Sequence, residues 1–201
     1  MPQHYALSEL LIVIITGWCV FKLWRASLQW SSLACFLFGV AAALGAYRFG
    51  VASTEEMTFV HRSVAQLGGS VAMALIALEF WRLSSRKRFA VNPGIAGAIS
   101  VLTTLCFGLL GPAFASIGFV FWAIVASFFA ALSTRGTTWP RAVHALIVLS
   151  VLFNVLVVRQ SLWLGSATAW HAFHVLMALW IYGVTYVLLR LTRSKLQFAM
   201  E

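Results

Sequence analysis

The chain has 201 residues, of which 62% are hydrophobic and only 9% charged, and it carries a formal net charge of +9 with a mean hydropathy of +0.92. Soluble domains carry about a quarter charged residues, so this composition excludes a water-soluble globule and makes lipid the solvent for much of the surface. Seven spans of about 20 residues each would use most of the length, so residues 1–201 are expected to form one all-α, seven-transmembrane-helix bundle with no further soluble domain.

Apolar runs at 7–24, 32–49, 54–81, 94–110, 114–132, 142–158 and 167–191 predict the seven helices. The first run lacks a basic leader and is followed by Lys22 and Arg25. It therefore reads as a retained helix rather than a cleaved signal. The second run ends at Tyr47 and Arg48. Ser53-Thr54-Glu55-Glu56 has the spacing of a capping box and predicts the start of helix three. Gly68, Gly69 and Ser70 within that helix offer a small-residue surface for close packing.

Gly111-Pro112 predicts a tight turn between helices four and five. Thr138 is the expected N-cap of helix six, which places Pro140 in the first turn, where its missing N–H costs little. Trp139, Trp163 and Trp170 fall at expected interfaces, as an aromatic belt requires. Cys19, Cys35 and Cys106 stand singly in apolar runs, so they predict buried small side chains rather than disulfides or a zinc knuckle.

Orientation follows from the positive-inside rule. With the N-terminus outside, the cytoplasmic ends hold eleven of the fourteen basic residues: Lys22, Arg25, Arg82, Arg86, Lys87, Arg88, Arg135, Arg141, Arg190, Arg193 and Lys195. The outer ends hold only Arg48, Arg62 and Arg159, balanced by Glu9, Glu55 and Glu56. The basic charge is thus topological, and nucleic acid is not among the expected partners. A multi-pass protein of the bacterial inner (plasma) membrane is expected, with membrane lipids as partners.

Intramembrane polar residues are costly and mark functional sites. Most of them collect in the outer half: Glu9 in helix one, Tyr47 and Arg48 in helix two, and His61, Ser63 and Gln66 in helix three. Asn154 in helix six and His171 and His174 in helix seven complete the set. Glu9 and Arg48 are expected to pair across helices one and two. On the inner side, Glu79 is expected to pair with Arg82 at i,i+3, His144 to be an interfacial histidine, and His4 to be solvated. His171 and His174 share one helix face and, with His61, form a candidate metal site. Three protein ligands plus a water is the arrangement of catalytic zinc, whose water attacks esters and amides near neutral pH. Ser63 is the candidate residue for polarising a substrate carbonyl. A haem held by one histidine from each of helices three and seven is a further possibility, and simple hydrogen bonding among the histidines is another.

An early-helix histidine and a last-helix pair in a seven-helix, N-outside chain resemble the membrane hydrolase superfamily of alkaline ceramidases and adiponectin-receptor-like proteins. The resemblance implies an intramembrane zinc ion and hydrolysis of a lipid amide, with His61, His171 and His174 as ligands. The pair here is H-x-x-H where that superfamily has H-x-x-x-H. The sequence contains no aspartate, and Arg48 stands where a histidine would be expected. A non-enzymatic lipid-binding protein, or an assembly subunit with a partner membrane protein, is the competing expectation. A retinal receptor is not expected, because 167–191 contains no lysine for a Schiff base.

Overall fold

A computed structural model describes residues 3–51, 54–84, 93–134 and 137–200. These residues form seven α-helices and no strand: α1 Tyr5–Arg25, α2 Gln29–Gly50, α3 Glu55–Ser84, α4 Pro93–Leu109, α5 Pro112–Ser133, α6 Thr138–Phe153 and α7 Ser166–Met200. A π-helical segment, Asn154–Val158, prolongs α6. Six of the helices are long and apolar enough to cross a membrane; α4, with 17 residues, is not among them. The chain is therefore an all-helical multi-pass membrane protein by length and composition.

Neighbours α1–α2, α2–α3, α3–α5, α5–α6, α6–α7 and α7–α1 close a ring, with α3–α5 and α7–α1 running parallel, while α4 packs outside against α3 and α5. The most heavily buried helix is α3, with a continuous stretch from Ala72 to Phe80 in the core. Many large apolar side chains face outward, among them Leu7, Ile14, Phe59, Ile117 and Leu146. An outward-facing apolar surface is what lipid solvation requires.

Local chemistry explains the helix ends. The α3 N-cap is Thr54, whose Oγ1 accepts the Met57 amide at 3.2 Å. Ser53, the expected cap, lies outside the described residues. Gly111, at φ +127°, precedes Pro112 at the first position of α5. A positive φ suits glycine there, and proline loses nothing at a position whose N–H has no helical partner. Helix α6 begins one residue earlier than expected: Thr137 is its N-cap, Thr138 is already helical, and no side chain caps the start.

The α1–α2 turn is closed from a third helix. Glu79 is fully buried and its Oε2 accepts the Trp30 and Ser31 amides at 3.1 and 3.3 Å. Those are first-turn donors of α2, which lack intrahelical partners. The expected Glu79–Arg82 pair is present, with Arg82 Nε donating to Oε1 at 2.6 Å. Arg82 Nη2 also donates to the Ser27 carbonyl. Arg86, Lys87, Arg88, Arg135 and Glu201 lie outside the described residues.

Two sequence readings change on the same grounds of packing. Cys19 and Cys35, isolated in sequence, have thiols within hydrogen-bonding reach of one another and of Thr185, whereas Cys106 is exposed. Trp139 and Trp163 are exposed as belt residues should be, but Trp170 turns inward against Tyr5, Phe49 and His174. His144 is buried, with Nδ1 2.7 Å from Thr134 Oγ1. The Gly69-Ser70 surface meets α5, where Ser70 Oγ donates to the Ala115 carbonyl.

Candidate functional site

The inward face of α1 is a stripe of Ser8, Glu9, Ile12, Thr16, Cys19 and Leu23 at three- and four-residue spacing, so its one carboxylate points into the ring. The buried face of α2 brings Ala41, Ala42, Gly45, Arg48 and Phe49 opposite it. His61 comes from the second turn of α3 and His174 from the third turn of α7. All four ionisable groups are withdrawn from the surface: Glu9 is 2% exposed, Arg48 4%, His174 5% and His61 7%. They lie about 3 Å (Arg48) to about 12 Å (His174) from the nearest end of their helices, counted at 1.5 Å per residue. All are at one end of the bundle, the Glu9 end.

Glu9 is the hub. Its Oε1 is 3.1 Å from His174 Nε2 and 3.8 Å from His61 Nε2. Neither contact completes a hydrogen bond, so Oε1 is a buried acceptor without a partner among the described residues. Gly45 makes the approach possible, because a Cβ there would overlap Glu9 Oε1 and stand 2.9 Å from His61 Nε2.

Protonation follows from what each neighbour can offer. His174 Nδ1 is 2.7 Å from the Trp170 carbonyl, which only accepts, so Nδ1 carries a proton. Its Nε2 therefore faces Glu9 Oε1. His61 Nδ1 is 3.3 Å from Arg48 Nη1, which only donates. His61 is therefore the Nε2–H tautomer, with that hydrogen turned toward Glu9. The Arg48 guanidinium also lies 4.7 Å over the Phe49 ring. The arrangement thus sets a buried carboxylate against two imidazoles, with a guanidinium held beside one of them.

Among the sequence candidates, the structure gathers Glu9, Arg48, His61 and His174. His171 stands apart: its ring lies 5.2 Å from His4 and 5.5 Å from Tyr5, on the rim. Of the three expected histidines, the structure brings His61 and His174 around a carboxylate and places His171 on the rim. His4 is exposed, as expected, with its ring tilted against that of His171 on this rim. Glu9 meets His174 and His61 in ion-pair contact, and Arg48 joins the group through His61. Ser63 is half-buried and two residues from His61, about 200° around the helix, which turns it off the His61 face. Gln66 is exposed, and Tyr47 is 48% exposed beside Arg48. Asn154 Nδ2 donates to the Phe173 carbonyl at 2.9 Å, one turn from the site.

The zinc set implied by the resemblance fits in part. His174 has a metal ligand's usual support, an Nδ1–H on a carbonyl, and Glu9 Oε1 is an available oxygen. His61 does not fit as it stands, because accepting from Arg48 leaves the hydrogen on the nitrogen that would have to bind metal. Among the described residues no three His, Cys, Asp or Glu groups form a ready metal cluster. A haem between His61 and His174 would have to displace Glu9.

Sequence reasoning placed Glu9 near the cluster but missed it as the hub, together with Gly45 and the Trp170 carbonyl. The Glu9–Ile12–Thr16–Cys19 spacing and the Gly45–Arg48–Phe49 spacing were the available signals. Compared with known protein families, with characterised proteins and with solved structures, the chain finds no match.

Proposed function

We propose that the protein is a seven-span, N-outside protein of a bacterial inner membrane, whose Glu9–His174 pair is the acid–base centre of a lipid amide or ester hydrolase. The observation that carries this reading is the Glu9 carboxylate, drawn from α1 into contact with His174 of α7 and flanked by His61 and Arg48. Buried ionisable groups inside a membrane bundle are functional by default. Water entering beside the orphaned Oε1 would lose its proton to the Glu9–His174 pair, and Arg48 would steady negative charge developing on the substrate. Helix α4 is about 26 Å long at 1.5 Å per residue, close to the thickness of a hydrocarbon core, which supports a seventh span. The concentration of Lys and Arg at the end opposite Glu9 supports the orientation.

The test is turnover of short-chain lipid amides and esters by the purified protein in micelles. Glu9→Gln and His174→Asn are each expected to lower kcat at least a hundredfold, general acid–base catalysis contributing about 10²–10⁴. No turnover by the wild type refutes the reading in favour of a non-enzymatic lipid-binding or assembly role. Stoichiometric zinc that is lost in His174→Ala would replace the metal-free centre with a metal site.

A further inference from the structure

We propose that the Glu9 end of the bundle binds a phosphate-bearing anion, with Arg48, Arg62 and Arg159 as its cationic wall. Among the described Lys and Arg residues these three are the ones at this end, and three separate segments deliver them. Arg48 lies on α2 with its guanidinium over Phe49. Arg62 follows His61 on α3. Arg159 follows the π-helical segment, its amide donating to the Asn154 carbonyl at 3.0 Å, and its guanidinium lies 5.1 Å over the Phe173 ring.

Two aromatic seats thus place two guanidiniums on either side of the hub. Phe173 meets the His174 ring at 4.9 Å, and Phe49 meets the His61 ring at 6.2 Å. Arg62 is electrostatically coupled to both Arg48 and Arg159, and Glu9 is coupled to both as well. Three cations therefore share one neighbourhood in which Glu9 supplies the only buried anion among the described residues. Neither Arg62 nor Arg159 has a carboxylate within ion-pair distance among the described residues. Like charges held together near a low-dielectric region repel, and a polyvalent anion relieves that repulsion.

Unused buried hydrogen-bonding groups at the same end point independently to a polar ligand. Trp170 Nε1 and Ser161 Oγ, both able to donate, have no partner among the described residues, and neither does Asn154 Oδ1. Guanidiniums match the oxygens of phosphate in bidentate geometry. The site lies within a few helical turns of the bundle end, within reach of a ligand entering from that end. A π segment beside the site is also in keeping, since such segments occur frequently at functional positions. The phosphate can come from a lipid headgroup or from a soluble ester. The binding claim goes beyond the hydrolytic reading and does not depend on it.

The experiment titrates the full chain in detergent with short-chain phosphatidic acid in one arm and inorganic phosphate in the other. Saturable binding is expected in at least one arm, with Arg62→Gln and Arg159→Gln each weakening it about tenfold, as loss of a charge-assisted hydrogen bond does. Both substitutions are at exposed side chains, so the fold is retained, and helicity by circular dichroism verifies this. Lys22→Gln and Arg25→Gln, at the opposite end, should leave affinity unchanged. Binding of the lipid alone identifies a headgroup site, and binding of both probes identifies a site for soluble phosphate; either supports the proposal. Failure of both probes to bind, or wild-type affinity in an Arg62→Gln/Arg159→Gln double variant, overturns it. Glu9→Gln separates the two claims: it removes the acid–base pair yet should bind phosphate at least as well, because a competing anion is gone. Loss of binding in folded Glu9→Gln protein would count against the arginine wall.

Discussion

Substituting Gly45 by alanine is the sharpest perturbation of the site that adds no charge and removes no hydrogen bond. The added methyl would overlap Glu9 Oε1, stand 2.5 Å from Glu9 Cδ and reach 2.9 Å from His61 Nε2. The obstructing atoms are the far end of the Glu9 side chain and the His61 imidazole, so the methyl is accommodated only by moving the carboxylate away from its partners. Overpacking of this kind costs about 1–3 kcal/mol, and alanine's better helix propensity returns at most about 1 kcal/mol. The net expectation is destabilisation by about 1–2 kcal/mol together with loss of whatever the Glu9–His174 contact does. Gly17→Ala on α1 is the control, since a Cβ there meets nothing within 4 Å. It should be neutral or stabilising by less than about 1 kcal/mol. Unfolding in mixed micelles, followed by far-ultraviolet circular dichroism, measures both. Glu9→Ala should relieve the overlap, so Gly45→Ala and Glu9→Ala are expected to be non-additive in a double-mutant cycle. If Gly45→Ala unfolds with Gly17→Ala and the cycle is additive, the site is not packed as described.

Glu79→Ala should destabilise by about 2–4 kcal/mol, at about 1–3 kcal/mol per stranded donor, because it leaves the Trp30 and Ser31 amides without their acceptor, whereas Arg82, whose side chain is 42% exposed, is resolvated; Glu79→Gln should recover part of the loss in the same unfolding assay. Thr54→Ala removes the side-chain cap of α3 and is expected to cost about 1 kcal/mol with no change in phosphate binding. In the folded protein a maleimide should label Cys106 alone, with Cys19 and Cys35 reacting only after denaturation, and mass spectrometry of the adducts reads the count. Early labelling of all three thiols would contradict the α1–α2 packing.

The helices were legible because hydrophobic runs of span length have few alternatives in lipid, and glycine, proline and threonine punctuate them. Boundaries moved by a few residues where a cap was misassigned, as at Thr137, since one threonine looks like its neighbour until backbone angles are known. The site was less legible. Sequence spacing showed that His171 and His174 share a face, but that face is wide enough for His174 to turn to Glu9 while His171 lies beside His4. Rotation of one helix against another is set by packing, here by Gly45 admitting the carboxylate, and no single helix carries that information. Cys19 and Cys35 illustrate the same point: sixteen positions apart in sequence, they become neighbours only through the α1–α2 hairpin.

The contact between Glu9 and His174 joins the first helix of the ring to the last. During synthesis α1 enters the bilayer long before α7 exists, so its carboxylate must wait, protonated or facing the headgroups, until its imidazole partner is translated. The centre is consequently a late event in biogenesis. Shortened products that lack α7 would insert several spans without this contact, which couples its formation at the Glu9 end to closure of the whole ring.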